Sequence, residues 1–150
     1  MSPFGKSKRE GTTIIVGCGR LGANLANRLS EDGGSVLIID INKGAFRKLS
    51  PSFSGITLAG DATYLHVLHE AEIERATAVV SVTNYDNTNI LVAQIAKELF
   101  HIEHVIARLY DPDRECVYHE FGIDTISPAI LSVKEIDKLL HVPGAEEGAV

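Results

Sequence analysis

Short apolar runs rich in β-branched residues alternate with amphipathic segments along most of this chain. The apolar runs are continuous, which is typical of parallel strands whose two faces are both covered by helices. We predict strands at Thr12–Val16, Ser35–Ile39, Ile56–Ala59, Ala78–Val82, His104–Arg108 and Thr125–Ile126. Helices are predicted between and after them, at Leu21–Ser30, Lys43–Leu49, Tyr64–Ala71, Thr88–Phe100, Asp113–Phe121 and Ala129–Leu140.

This strict alternation of strand and helix predicts the fold class. Right-handed crossovers between successive strands give an α/β fold of the Rossmann type, a doubly wound, mainly parallel six-stranded sheet with helices on both faces. One domain is predicted over residues 12–141, with a flexible leader at 1–11 and a flexible tail at 142–150. Gly33 and Gly34 are predicted to end the first helix.

The loop after the first predicted strand has the spacing G-x-G-x-x-G over Gly17–Gly22. The first glycine permits a tight turn, the second leaves space for phosphate oxygens, and the third lets the next helix pack closely. The N-terminus of that helix offers free N–H groups and a positive dipole end to an anion. Asp40 ends the second apolar run, where a carboxylate accepts hydrogen bonds from ribose hydroxyls and repels a 2′-phosphate. The chain is therefore predicted to bind an adenine nucleotide.

Two side chains inside this loop have more than one interpretation. Arg20 either makes a bidentate contact with phosphate oxygens or is an exposed arginine paired with a carboxylate. Cys18 lies at a helix N-terminus, a place that can lower the pKa of a thiol. The second position of such a loop also accepts many small residues, and this favours a purely structural role for Cys18.

Polar residues also follow the third and fourth predicted strands. Asp61 lies where an adenine ring would rest against the third strand, and its carboxylate can accept from the exocyclic amine. Alternatively, Asp61 and Thr63 only cap the helix that follows. The segment Thr83–Asn89, T-N-Y-D-N-T-N, crowds polar side chains at the start of another helix. We expect some of these to be caps and one or two to reach a ribose or phosphate.

Composition restricts the partners and the compartment. A formal net charge of −6 argues against a nucleic-acid partner, because phosphate binding needs a basic face. Two cysteines far apart, Cys18 and Cys116, fit a reducing compartment better than a disulfide framework. No apolar stretch approaches the roughly 18–20 residues that a membrane-spanning helix needs. We expect a cytoplasmic domain, which can still serve a membrane protein.

Metal binding and catalysis find little support in the sequence. His66 and His69 share a helix face, but no cysteine or metal-type carboxylate pattern accompanies them, so no metal site is predicted. The Tyr-x-x-x-Lys pair of short-chain dehydrogenases is absent, since the residues four after each tyrosine are Leu68, Asn89, Arg114 and Gly122. No catalytic residues are therefore predicted. A small NAD-dependent oxidoreductase, or an NADH/NAD redox sensor, stays the alternative hypothesis.

A set of motifs in fixed order extends from about Thr12 to Leu140. It comprises G-C-G-R-L-G, the L-I-I-D that ends at Asp40, G-D-A-T, V-V-S-V-T-N-Y-D-N-T-N-I, H-V-I-A-R, F-G-I-D and I-S-P-A. Together these motifs resemble the N-terminal nucleotide-binding domain of the RCK/KTN (TrkA-N-like) family. Members of that family are cytoplasmic regulators of potassium channels and of Trk/Ktr potassium-uptake systems.

The resemblance implies a regulatory subunit that is not an enzyme. It would bind AMP, ADP, ATP or NAD(H), without a required metal, and gate a potassium transporter or channel subunit from the inner face of the membrane. The resemblance also implies a homo-oligomer, a dimer or larger ring, whose subunits pair through the last helix, Ala129–Leu140. Family members commonly carry a second, C-terminal ligand-binding domain, for which this sequence has no room. We expect either a stand-alone subunit that works with a separate partner chain or a degenerate relative of the family.

Carried over by position, the glycines of the loop and Arg20 would hold phosphate, and Asp40 would hold the ribose. Asp61 and Ala62 would border the adenine, and Thr83 would line the pocket. The complete predicted site is Gly17, Cys18, Gly19, Arg20, Leu21, Gly22, Asp40, Ile41, Asp61, Ala62, Thr83 and Asn84.

Overall fold

Six strands form one sheet in the computed structural model of the chain, which describes residues 11–141. The strands are β1 (Thr12–Val16), β2 (Ser35–Asp40), β3 (Ile56–Ala59), β4 (Ala76–Ser81), β5 (His104–Arg108) and β6 (Asp124–Ile126). Their order is β3-β2-β1-β4-β5-β6, and every neighbouring pair is parallel. The predicted Rossmann-type fold is confirmed. Apart from Gly11, the predicted leader and tail lie outside the described residues.

Five α-helices connect or follow these strands within the described residues. They are α1 (Arg20–Glu31), α2 (Leu65–Glu70), α3 (Asp86–Gln94), α4 (Glu115–Glu120) and α5 (Pro128–Leu140). A π-helical turn at Ile95–Leu99 continues α3, and a 3₁₀ turn at Pro112–Arg114 precedes α4. As predicted, α1 ends at the glycine pair, because Gly33 N donates to Ser30 O and Gly34 N donates to Leu29 O.

The helix predicted at Lys43–Leu49 is observed as a 3₁₀ helix at Lys43–Lys48. The Asn42 side chain accepts a hydrogen bond from Gly44 N at 2.9 Å and starts a tight turn.

The sheet separates two apolar layers. Ile14 of β1 packs in the layer beneath α2 and α3, whereas its neighbour Ile15 packs in the layer beneath α1. Because successive side chains of a strand point to opposite faces, both must be apolar when both faces are covered. This explains why the strands are continuous apolar runs in the sequence.

Helix α5 differs from the others because none of its residues is buried. Its exposed apolar side chains are those of Leu131, Val133, Ile136, Leu139 and Leu140. Over residues 11–141, no helix is both long and apolar enough to cross a bilayer.

Candidate functional site

A cleft of about 430 Å³ opens at the carboxyl ends of β1, β2, β3 and β4. In doubly wound sheets, ligands bind at this edge, near the point where the strand order reverses. Nine of the predicted site residues line the cleft, namely Gly17, Cys18, Gly19, Asp40, Ile41, Asp61, Ala62, Thr83 and Asn84. Arg20, Leu21 and Gly22 are not among the lining residues.

The glycine loop has the geometry that its spacing predicts. Gly17 has a φ of +108°, and a Cβ there would lie 2.9 Å from Thr83 N. At Gly22 a Cβ would lie 1.8 Å from Gly17 O, so only glycine lets α1 start this close to the loop. A Cβ at Gly19 would meet no protein atom within 4 Å. The space beside Gly19 is therefore open to a ligand.

The N-terminus of α1 lies beside this space. Gly19 is its N-cap, no side chain caps it, and its first turn contains no acidic residue. Backbone N–H groups at such an end need a partner, and an anion suits them. Arg20 is exposed, and its side chain makes no hydrogen bond or ion pair with any residue in 11–141. The suggested pairing of Arg20 with a carboxylate is thus not found in that range, and its contact with phosphate stays a prediction.

Leu21 does not contribute its side chain to the cleft. It packs, partly buried, against the apolar layer beneath α1, because the first turn of this helix faces the sheet. Gly22 acts from outside the cleft as well, through its contact with Gly17.

Asp40 joins the two loops that form one wall of the cleft. Its Oδ2 accepts from Cys18 N at 2.7 Å, and its Oδ1 accepts from Asn42 N at 2.8 Å. Each carboxylate oxygen has two lone pairs, so both keep the capacity to accept from a ligand hydroxyl. The carboxylate therefore both orders the glycine loop and faces the cleft.

Asp61 and Thr63 are joined by hydrogen bonds. Asp61 Oδ1 accepts from Thr63 N at 3.0 Å and from Thr63 Oγ1 at 2.6 Å. The interpretation that these residues cap the next helix is wrong, because α2 has Tyr64 as its N-cap and no side-chain cap bond. Asp61 Oδ2 has no hydrogen bond to residues 11–141. It is available to a ligand in the cleft.

Comparison with known proteins identifies the family. Residues 13–128 match the family model of the TrkA-N domain. The chain belongs to this family. It is 40% identical over 133 residues to the Trk system potassium uptake protein TrkA of Streptomyces coelicolor, covering 89% of this chain and 60% of that protein. The resemblance to the RCK/KTN N-terminal domain is thereby confirmed.

Three solved structures of GsuK are similar to this TrkA-N domain. They are the GsuK RCK domain, the GsuK channel bound to NAD and GsuK bound to ADP, with TM-scores of 0.74, 0.75 and 0.74. Their sequence identities are 26%, 27% and 26%, over 88%, 90% and 89% of this chain. The matched region makes up 28%, 24% and 35% of the respective GsuK chains.

Burial makes the Cys18 thiol of this TrkA-N domain inert. The side chain is fully buried, and its Sγ donates to Ala45 O at 3.4 Å. Burial raises the pKa of the thiol, the Asp40 carboxylate raises it further, and Lys48 partly opposes both. The hypothesis of a lowered pKa is therefore wrong, because desolvation outweighs the helix N-terminus here.

We expect one of the two thiols to react rapidly with Ellman's reagent in the native protein. Cys116 is exposed and should react, whereas Cys18 should react only after unfolding in guanidinium. A C116S variant should show no rapid phase. Rapid labelling of both thiols would contradict this result.

The raised pKa of Cys18 also links stability to pH. Its contribution to the free energy of unfolding is fully present below the pKa of the unfolded thiol and is lost as pH rises through the pKa of the folded thiol.

Sequence reasoning missed several residues that line the cleft. They are Val16, Ile39, Asn42, Ala45, Lys48 and Val82; the other lining residues outside the predicted set, Gly60, Thr63, Tyr85 and Thr88, lie in the G-D-A-T and T-N-Y-D-N-T-N segments where ligand contacts were expected. Lys48 is the one basic side chain among the lining residues, and its position eight residues after Asp40 gave no signal of this. Within residues 11–141, no three His, Cys, Asp or Glu side chains are grouped as metal ligands.

Proposed function

We propose that this TrkA-N domain is the nucleotide-sensing part of a cytoplasmic potassium-transport regulator. It binds an adenine nucleotide in the cleft and gates a potassium transporter or channel subunit from the inner face of the membrane. One observation carries the proposal: the open space at Gly19 lies between an uncapped helix N-terminus and the Asp40 carboxylate. The relative from Streptomyces coelicolor, a Trk potassium uptake protein, supports the transport role.

Each part of the cleft fits one part of an adenine nucleotide. The N-terminus of α1 and Arg20 would hold phosphates, and Asp40 would accept from the ribose hydroxyls. Asp61 would accept from the adenine amine through Oδ2, with Ile41 and Ala62 bordering the ring. The residues present thus match the anionic and polar groups of the ligand, and none is assigned a catalytic role.

The lining residues favour a single adenosine phosphate. They belong to the ends of β1 to β4 and to the segments that follow these strands, and none belongs to β5 or β6. A dinucleotide would have to extend past the cleft, towards the end of β5. One GsuK structure contains NAD and another contains ADP, so the experiment described below must distinguish these two ligands for this chain.

The exposed apolar side chains of α5 support assembly. Soluble proteins rarely expose a large contiguous apolar patch unless it is an interface. We infer that α5 pairs with α5 of a second copy, in a homodimer or larger ring. A ligand gates such an assembly only if it binds two of its states with different affinities.

Native mass spectrometry of the purified protein, followed by denaturation, tests the proposed function. AMP, ADP or ATP released from a dimer or larger assembly would support it. Release of NAD would favour the redox sensor or the NAD-dependent oxidoreductase, and turnover assays would then separate those two. An empty monomer that binds none of these nucleotides on titration would refute the proposal.

We expect R20A to weaken ATP binding more than AMP binding. A guanidinium beside the helix N-terminus gains most from the terminal phosphates, which only ATP carries. Calorimetry with both nucleotides gives the comparison. R28A is the matched control, because Arg28 is an exposed arginine near the other end of α1 and should leave both affinities unchanged. Equal losses for ATP and AMP in R20A would show that Arg20 does not contact the terminal phosphates.

A further inference from the structure

Asn89 is a fully buried residue near the start of α3, and all the hydrogen bonds of its side-chain amide go to residues at or just after strand ends. Its Oδ1 accepts from Thr83 N at 2.8 Å, from Thr83 Oγ1 at 2.7 Å and from Ser81 Oγ at 3.2 Å. Its Nδ2 donates to Thr83 O and to Arg108 O, both at 3.0 Å. One side chain therefore binds the N–H, the carbonyl and the hydroxyl of Thr83.

The hydrogen bonds of Thr83 extend this restraint to residues 83–85, which form one wall of the cleft. Its Oγ1 also accepts from Tyr85 N at 3.1 Å, so the segment 83–85 is held by a chain of bonds that begins at Asn89. Thr83, Asn84 and Tyr85 all line the cleft, whereas Asn89 does not. Thr83 also lies directly behind the glycine loop, since a Cβ at Gly17 would approach Thr83 N to 2.9 Å.

A purely stabilising role would not require this arrangement. Burying an amide costs free energy unless its polar atoms are hydrogen-bonded, so an apolar residue would fill the same space without that cost. The bonds of Asn89 go to the chain that passes the cleft and to the end of the next strand, β5. They fix the position of the wall relative to two strands.

We propose that Asn89 is a positioning residue for nucleotide binding. It never touches the ligand, and it sets the affinity by holding Thr83, Asn84 and Tyr85 in place at the cleft. This inference rests on the proposed function. It adds that the Thr83 hydroxyl finds its acceptors within the protein, at Asn89 Oδ1 (2.7 Å) and Tyr85 O (3.3 Å), so Thr83 contributes the position of its backbone to the site.

The first test is N89D, with S81A as its control. Aspartate keeps the acceptor for Thr83 and Ser81 but places an oxygen against the two carbonyls that Nδ2 bonds. AMP binding by calorimetry should weaken at least about tenfold. S81A removes a bond to the same Oδ1 without changing a lining residue, so it should lower the melting temperature and keep the AMP affinity within about twofold. Unchanged AMP affinity in a folded N89D, or equal losses in both variants, would overturn the inference.

The pair T83V and T83S keeps the inference testable if N89D does not fold. T83V removes the hydroxyl, so we expect weaker AMP binding and, without any ligand, faster amide hydrogen exchange at Asn84 and Tyr85. T83S restores the hydroxyl and should restore both quantities. Weaker binding in T83V with unchanged exchange would indicate a direct ligand contact and refute positioning through Asn89. A wild-type protein that binds no nucleotide would refute the proposed function itself, whatever the variants show.

Discussion

G22A is expected to unfold the domain or to destabilise it by about 3 kcal/mol or more, since overpacking of this severity exceeds the usual range. The added Cβ would lie 1.8 Å from Gly17 O and 3.4 Å from Val82 Cγ2. The carbonyl belongs to backbone, so it cannot rotate away as a flexible side chain would. Relief requires moving either α1 or the loop that joins it to β1. Urea denaturation followed by circular dichroism measures the loss.

G19A is the matched control, because it adds the same methyl group three positions earlier in the same loop, where there is no tight contact. No protein atom lies within 4 Å of its Cβ, so stability should change by less than about 0.5 kcal/mol. The methyl group would instead occupy the space assigned to phosphate and weaken nucleotide binding. A G22A protein as stable as wild type would contradict the packing of α1 described above. Unchanged nucleotide affinity in G19A would refute the assignment of phosphate to that space.

D40A is expected to weaken AMP binding at least tenfold, about 1.4 kcal/mol, measured by calorimetry. Two effects act in the same direction. The variant removes the acceptor for the ribose hydroxyls, and it also leaves Cys18 N and Asn42 N without their carboxylate partner. The glycine loop would then be less ordered before the ligand arrives.

D40N separates these two effects. The amide keeps the size of the side chain and one acceptor oxygen, but it loses the charge and one of the two acceptors. AMP affinity should therefore lie between those of wild type and D40A. D124N, which changes an exposed aspartate at the start of β6, should leave the AMP affinity unaltered. An unaltered affinity in D40A would refute the assignment of Asp40 to the ribose.

The parts of the site that could be predicted from the sequence are those set by local spacing. The turn and the helix require the observed spacing of the glycines, and Asp40 ends the next apolar run. All six strands lie at or near their predicted bounds. The helix predicted at Lys43–Leu49 is a 3₁₀ helix at Lys43–Lys48, and the tight turn that Asn42 makes at its start was not predicted.

The parts that could not be predicted depend on partners far away in the chain. Cys18 faces Ala45, 27 residues later, and this contact determines its burial and its raised pKa. Asn89 is one of several polar residues at the start of a helix. Its hydrogen bond to Arg108 O, 19 residues later, distinguishes it from an exposed capping residue. No spacing rule contains that information.

The position of β3 has a consequence for how the cleft fluctuates. This four-residue strand forms one edge of the sheet, pairs only with β2 and leaves Ile56, Thr57 and Ala59 exposed. Edge segments with few buried contacts open locally at a lower free-energy cost than the centre of a sheet. Asp61 follows this strand by two residues, and Gly60 N, between them, donates to Asp40 O at the end of β2 at 3.0 Å. Fraying of β3 would therefore open the side of the cleft that we propose for adenine, whereas the side proposed for phosphate, built on the central strand β1, would keep its shape.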